Sequence, residues 1–76
     1  MKQIVIDILN EVLAENGHAP FPFQDDTAIF RETQIDSLAL ALVIVKIEER
    51  TGRDPFKSGF MGFTTVGELV RLYENS

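Results

Sequence analysis

The sequence predicts an all-α fold, a small helical bundle of three main helices and one short helix, with a long loop between helices one and two. Three observations predict it. Apolar residues recur at helical spacing in three separate stretches, and helix start and stop signals bound each stretch. The chain is also short, at 76 residues. We therefore expect one domain, residues 1–76, with a modest core.

The first helix is predicted from about Lys2 to Asn16, where Asn16-Gly17 is a suitable stop because glycine can take the left-handed conformation. Its apolar residues form one stripe at helical spacing, which should face the core. The stripe consists of Ile4, Val5, Ile8, Leu9, Val12 and Leu13.

A long loop is predicted from His18 to Gln34, because Pro20 and Pro22 interrupt it and no apolar period is sustained. The loop is too apolar for a solvated tether, so it should be pinned against the helices. A short turn is expected within it at Asp25-Asp26-Thr27. Its large apolar side chains are Phe21, Phe23, Ile29 and Phe30.

The second main helix is predicted from Ser37 to about Thr51, with Asp36 as its N-cap and Gly52 as its stop. Ile35 and Leu40 occupy the two positions of a hydrophobic staple across the start of this helix. The helix therefore has local signals at both ends.

Two further elements follow. Asp54-Pro55 resembles an N-cap with proline at the first helical position, which predicts a short helix or helical turn through Phe56 and to Phe60 at the furthest. The last helix should begin at a capping box, Thr65 with Glu68, and continue to about Glu74. Its buried stripe is predicted to consist of Val66, Leu69, Val70 and Tyr73.

Two apolar stripes with the spacing i, i+3, i+4, i+7 share the second helix on opposite sides. A bundle of this size can bury only one of them fully, and the staple position of Leu40 assigns its own stripe to the core. The other is then an exposed apolar patch beside Ser37, of the kind that marks a partner surface. The alternative is that Phe21, Phe23 or Phe30 folds over it. The core stripe is Leu40, Val43, Ile44 and Ile47, and the outer stripe is Leu38, Ala41, Leu42 and Val45.

Charge and composition narrow the function classes. Twelve acidic and seven basic residues give a net charge of -5, which disfavours nucleic acid and favours basic partner surfaces. The absence of cysteine excludes disulfides and thiolate metal sites, and it fits a cytoplasmic location. Asp7, Asn10 and Glu11 interrupt the apolar N-terminus before a signal sequence develops, and no segment is long enough to span a membrane.

Ser37 is predicted at the first position of a helix, where unpaired backbone N–H groups and the positive end of the helix dipole favour a phosphate. A hydrolase built on Ser37 and Asp36 would still need a base, and the only histidine, His18, lies in a loop as an expected solvent-exposed residue. Nothing in the pattern indicates a metal site.

The run Asp36-Ser37-Leu38, followed by an apolar helix ending in Glu48-Glu49, resembles the phosphopantetheine attachment site of acyl and peptidyl carrier proteins. The likeness extends over almost the whole chain through its length, acidic balance and order of elements. It implies that Ser37 carries a 4′-phosphopantetheine arm from coenzyme A, whose thiol holds acyl or aminoacyl cargo as a thioester. Because the chain has no cysteine, that sulfur must come from the attached group.

The same resemblance implies a free-standing, monomeric carrier that is not an enzyme. Asp36 would be both the cap and a contact for the phosphopantetheinyl transferase, and the second helix would dock the enzymes that load and process cargo. The alternative is an unmodified helical interaction module, or a dimer through the outer stripe, in which Ser37 only starts a helix. The expected partner-binding residues are Leu38, Ala41, Leu42, Val45, Glu48 and Glu49.

The chain departs from the family pattern in three places. Ala39 and Leu42 stand where fatty-acid synthase carriers commonly have acids, and Gln34 stands where a glycine is frequent. Residues 56–60 replace an acidic stretch. These departures favour a dedicated carrier in a specialised pathway, for a polyketide, an amino acid or a modified sugar, over ordinary fatty-acid synthesis.

Other side chains carry simpler expectations. Glu11 and Glu15 should lie on solvated helix faces. The phenylalanines and Met61 should belong to the core rather than contact cargo, although in this family the core can open to shelter an acyl chain.

Overall fold

The structure is a computed structural model that describes residues 1–57, 59 and 62–76. Those residues form four helices, α1 (Lys2–Glu15), α2 (Ile29–Glu32), α3 (Ser37–Thr51) and α4 (Val66–Glu74). The all-α bundle of three main helices and one short helix is therefore confirmed. Helix α1 packs against both α3 and α4, whereas α3 and α4 make little direct contact with each other.

The ends of the main helices follow the local signals. The Asp36 carboxylate accepts a hydrogen bond from the Ala39 N–H at 2.8 Å, and Gly52 ends α3 with a φ of 74°. At the start of α4, Thr65 and Glu68 form the complete capping box. All three predicted helices are confirmed, because each cap satisfies backbone groups that the helix itself leaves unpaired.

Of the two alternatives predicted after Asp54, a short helix or a helical turn, the described residues form the turn. In it the Asp54 carboxylate accepts from the Phe56 N–H at 2.9 Å and the Phe56 carbonyl accepts from the Gly59 N–H at 3.0 Å. An Asp side chain can satisfy the backbone locally in this way without a helix. Two residues of the predicted span, Ser58 and Phe60, lie outside the described residues.

The actual short helix, α2, lies inside the long loop. Its first turn closes through Glu32, whose carboxylate accepts from the Ala28 N–H at 2.7 Å and whose own N–H donates to the Ala28 carbonyl at 2.8 Å. Thr33 ends it by donating to the Ile29 carbonyl at 2.6 Å. Four residues are too few to show a helical period, which explains why the sequence did not reveal it.

The core contains the predicted stripes of α1 and α4 together with the core stripe of α3, except that Ile4 and Ile44 are only partly buried and pack against it. Ala39, which belongs to neither of the two predicted stripes of α3, is also buried. The long loop contributes two buried apolar side chains, Phe23 and Ile29, as expected from its composition, and the staple residue Ile35 is also buried.

Hydrogen bonds to its backbone hold the long loop against the helices. The side-chain amide of Asn10 accepts from the Phe21 N–H at 2.8 Å and donates to the Phe21 carbonyl at 3.3 Å. Further along, the expected turn at 25–27 lies against the start of α4, where the Gly67 N–H donates to the Asp25 carbonyl at 2.8 Å. A Cβ on Gly67 would meet that oxygen at 3.1 Å, so glycine permits the close approach.

Candidate functional site

Ser37 is exposed at the first position of α3. Asp36 positions it, because the extended backbone of Asp36 turns the chain into the helix while its carboxylate binds the Ala39 N–H. The N–H groups of Ser37 and Leu38 come before that of Leu40, which donates to the Asp36 carbonyl as the first intrahelical donor, so they remain available for an anion. The arrangement leaves an accessible hydroxyl beside two backbone donors.

An open hollow of about 450 Å³ lies at the serine. Its walls come from α2, from the segment between α2 and α3, and from the first residue of α3. The lining residues are Phe30, Thr33, Gln34, Ile35, Asp36 and Ser37. Helix α2, which the sequence did not reveal, therefore shapes the surroundings of the predicted site.

A hydrolytic site does not form around Ser37. The Asp36 carboxylate serves as a helix cap instead of orienting a base. His18 is half-buried rather than exposed as expected, and it lines a separate groove that does not include Ser37. Over residues 1–57, 59 and 62–76, no three His, Cys, Asp or Glu side chains are grouped so that they could hold a metal ion.

The outer stripe of α3 is exposed. Leu38 is 81% exposed, Val45 50% and Leu42 40%, and Ala41 is exposed as well. The alternative, that loop phenylalanines fold over this stripe, is wrong. Phe21 and Phe23 pack on the core, and the Phe30 ring stacks on Phe63 with 6.3 Å between centroids.

A groove of about 600 Å³ runs along this stripe. Apolar side chains of α3 form one wall, and polar residues from the end of α1 and from the long loop form the other. The groove includes Asp36, the residue before Ser37, so it connects the outer stripe to the surroundings of the serine. The lining residues are Asn16, His18, Gln34, Asp36, Leu38, Ala39, Ala41, Leu42 and Val45.

Glu11 and Glu15 lie on a solvent-accessible face of α1, as expected, with side chains 40% and 46% exposed, and both are also paired with cations of α3. Lys46 Nζ lies 2.9 Å from Glu11 Oε1 and 3.2 Å from Glu15 Oε2, and Arg50 lies 3.4 Å from Glu11. The Lys46 hydrogen bond, its charge and the charge of Arg50 lower the pKa of Glu11, and the two glutamates raise the pKa of Lys46. This ion cluster joins α1 to α3, beside the core.

The two acids at the end of α3, Glu48 and Glu49, are both exposed. They lie about three turns along the helix from Ser37. They are next to Val45, the last residue of the outer stripe. The predicted partner-binding residues therefore form one accessible surface, apolar near the serine and acidic near the end of the helix.

Four aromatic rings form a row from this site into the core. Phe30, which lines the hollow beside Ser37, stacks on Phe63. Phe63 meets Phe56 at 6.3 Å between centroids, and Phe56 meets Tyr73 edge-on at 6.2 Å. We call Phe30, Phe63, Phe56 and Tyr73 the aromatic row.

The expectation that the phenylalanines belong to the core holds for most of them. Phe23 is buried, and Phe21, Phe56 and Phe63 pack against the core, but Phe30 is 43% exposed. Phe60 and Met61 lie outside the described residues. The row itself has no signature in the sequence, because its members come from four separate segments.

Tyr73 is fully buried, and within the part of the chain that the structure describes its hydroxyl has no hydrogen-bond partner. An unpaired buried hydroxyl costs about 1 to 3 kcal/mol. Burial, with smaller contributions from the charges of Asp54 and Glu48, raises the pKa of Tyr73 to about 12. At neutral pH the group is therefore a protonated donor without an acceptor.

A family model described as the phosphopantetheine attachment site matches residues 3–73. The chain belongs to this family. The family resemblance is thereby confirmed, and the family's cofactor is covalently attached 4′-phosphopantetheine. The match includes the Asp36-Ser37-Leu38 run, and attachment at Ser37 itself stays a prediction. No curated protein and no solved structure matches the chain significantly.

The residues at the start of α3 fit this cofactor. A phosphodiester on the exposed Ser37 hydroxyl would face the free N–H groups of Ser37 and Leu38, while Asp36 is already bonded to Ala39 and does not compete for them. The family's carriers are generally not catalysts. None of the described helices is long and apolar enough to cross a membrane.

Proposed function

We propose that the protein is a free-standing, monomeric carrier, one domain over residues 1–76, that holds acyl or aminoacyl cargo on a 4′-phosphopantetheine arm at Ser37. The observation that supports this most directly is the exposed Ser37 hydroxyl at the capped start of α3, inside the region matched by the family. The protein itself is not an enzyme in this proposal. It acts as the substrate of a phosphopantetheinyl transferase, in the cytoplasm.

In the proposed modification, the phosphopantetheine group is transferred from coenzyme A to the Ser37 hydroxyl. Ser37 Oγ forms a bond to the β-phosphorus of coenzyme A, and the bond between that phosphorus and the bridging pyrophosphate oxygen breaks. Adenosine 3′,5′-bisphosphate leaves with the electron pair, and the hydroxyl proton passes to a base of the transferase. Since His18 does not line the hollow at Ser37 and Asp36 is engaged as a cap, we assign the base to the transferase.

Partner enzymes dock on α3 in this proposal. Leu38, Leu42 and Val45 offer an apolar surface beside the serine, and Glu48 and Glu49 add negative charge near its far end. A complementary partner has an apolar patch with basic residues at one edge. Ala39, one of the positions where an acid is frequent in fatty-acid synthase carriers, is buried here. This supports a dedicated pathway with its own loading enzyme.

Intact-mass spectrometry tests the attachment. The protein is incubated with coenzyme A and a broad-specificity phosphopantetheinyl transferase, and we expect a gain of one phosphopantetheine. Ser37→Ala should abolish the gain, whereas Ser76→Ala, a matched change at a serine outside the site, should retain it. No gain with several transferases would refute the carrier function.

The exposed outer stripe is the specific observation that favours an unmodified interaction module or dimer as the second candidate. Light scattering on the same sample distinguishes the two. A monomer that gains the arm supports the carrier, and an unmodifiable dimer that Leu42→Glu dissociates supports the module.

A further inference from the structure

The Tyr73 hydroxyl is a polar group in the core for which the described protein residues offer no acceptor. A phenylalanine would fill the same space without leaving a polar atom unpaired. The carboxylates of Asp54 and Glu48 act on Tyr73 through their charge, but neither accepts a hydrogen bond from it. The core therefore contains a hydrogen-bond donor that no described residue pairs.

The position of this donor relates it to the attachment site. The aromatic row connects Tyr73 to Phe30, and Phe30 lines the hollow beside Ser37. Helices α3 and α4 make little direct contact with each other, and buried side chains from both helices belong to one core cluster. Side chains can change rotamer to admit a guest without breaking helical hydrogen bonds.

The chemical character of the aromatic row indicates which cargo groups would bind beside it. Aromatic rings accept hydrocarbon, and a buried phenol at the end of the row discriminates by hydrogen bonding. A cargo with an oxygen at that depth pairs the hydroxyl, whereas a saturated hydrocarbon leaves it unpaired. Sites with buried polar groups reject analogues that lack the matching group for this reason.

We propose that Tyr73 is a specificity-determining residue whose hydroxyl donates a hydrogen bond to a keto or hydroxyl oxygen of the cargo. The inference rests on the proposed function, since cargo reaches this part of the core only from an arm on Ser37. It narrows the cargo class to oxygenated acyl groups that enter between α3 and α4. A fully reduced acyl chain of the same length is a poorer guest.

The test compares two cargos of equal length, a saturated acyl group and its keto analogue, transferred to Ser37 from their coenzyme A thioesters. We expect the keto cargo to raise the melting temperature more than the saturated one, by about 4 to 8 °C, because it adds one buried hydrogen bond. In Tyr73→Phe the two cargos should raise it equally.

A second measurement needs no variant. Tyr73 is the only tyrosine and the chain has no tryptophan, so near-ultraviolet absorption reports on this residue. Its absorption band should shift with the keto cargo and not with the saturated cargo, in the folded native protein. This readout remains available even if Tyr73→Phe does not fold.

The outcomes separate the two proposals. Loading of Ser37 with equal melting shifts for both cargos and an unchanged tyrosine band would overturn the role of Tyr73 while leaving the carrier function intact. A cargo difference that persists in Tyr73→Phe would also overturn it. Absence of loading would refute the carrier function and this inference with it.

Discussion

The two apolar stripes of α3 have similar residues and identical spacing but opposite environments. In the core stripe, Val43 and Ile47 are fully buried, whereas Leu38 in the outer stripe is 81% exposed and Leu42 40%. The difference arises because α1 covers one side of α3 and no described element covers the other. One helix thus packs into the core with one stripe and presents the other beside Ser37, the proposed attachment residue.

Ile47→Glu should have the largest effect, because it places an unpaired carboxylate in the core stripe. Such burial costs several kcal/mol, a large part of the stability of a small domain. We expect the cooperative thermal transition to be lost or to move far below that of the native protein, as followed by circular dichroism. Ile47→Val is the control and should melt close to the native protein. A melt of Ile47→Glu near the native one would show that this stripe is not the core.

Asp36→Ala removes the N-cap of α3, the helix that carries both stripes. Loss of the hydrogen bond to the Ala39 N–H should lower the free energy of unfolding by about 0.5 to 2 kcal/mol, as measured by urea denaturation. It should also slow modification of Ser37.

Asp36→Asn separates the two effects, because asparagine can still cap the helix. If the carboxylate contacts the transferase, this variant restores stability without restoring the rate of modification. If Asp36→Asn matches the native protein in both assays, the carboxylate has no role beyond the cap.

The ion cluster at the edge of the core stripe should make stability depend on acid. The folded protein lowers the pKa of Glu11 below its ordinary value of 4.5, chiefly through the Lys46 hydrogen bond. The stabilisation is therefore present above about pH 4.5 and is lost as the pH falls through the lowered pKa. Because the Glu11 side chain is 40% exposed and solvent screens the pair, we expect an effect smaller than that of the cap.

Urea denaturation between pH 6 and pH 3 measures this dependence. Glu11→Gln should flatten the loss of stability with acid, leaving the part due to Glu68, whose pKa the Thr64 and Thr65 backbone N–H groups lower. Glu74→Gln, at the end of α4 and outside the cluster, is the control. Identical acid profiles for Glu11→Gln and the native protein would contradict the role of the cluster.

Leu42→Glu is the counterpart of Ile47→Glu on the outer stripe and should have the smallest effect on stability. We expect a change within about 0.5 kcal/mol, since Leu42 is 40% exposed. Docking should suffer instead, so loading by the cognate enzyme should weaken. Leu42→Gln distinguishes the added charge from the lost apolar contact. A large drop in melting temperature would show that the outer stripe is part of the core.

The predictable parts of the molecule were those governed by neighbouring residues. Asp36 lies three residues from the N–H that it caps, and Thr65 and Glu68 form a capping box within one turn. The local signals at Asp54 were also correctly placed, but an aspartate cap closes a turn as readily as it starts a helix. Helix α2 escaped prediction because four residues show no period.

The sequence by itself determined the three main helices, their caps and the position of Ser37 at the start of α3. These features depend on hydrogen bonds and periodicity within one or two helical turns. Only the tertiary structure decided what residues distant in the chain do together. It paired Glu11 with Lys46, 35 residues away, exposed the outer stripe and left the Tyr73 hydroxyl unpaired at the end of the aromatic row. Packing decides these outcomes, because each depends on which elements share the limited space of the core.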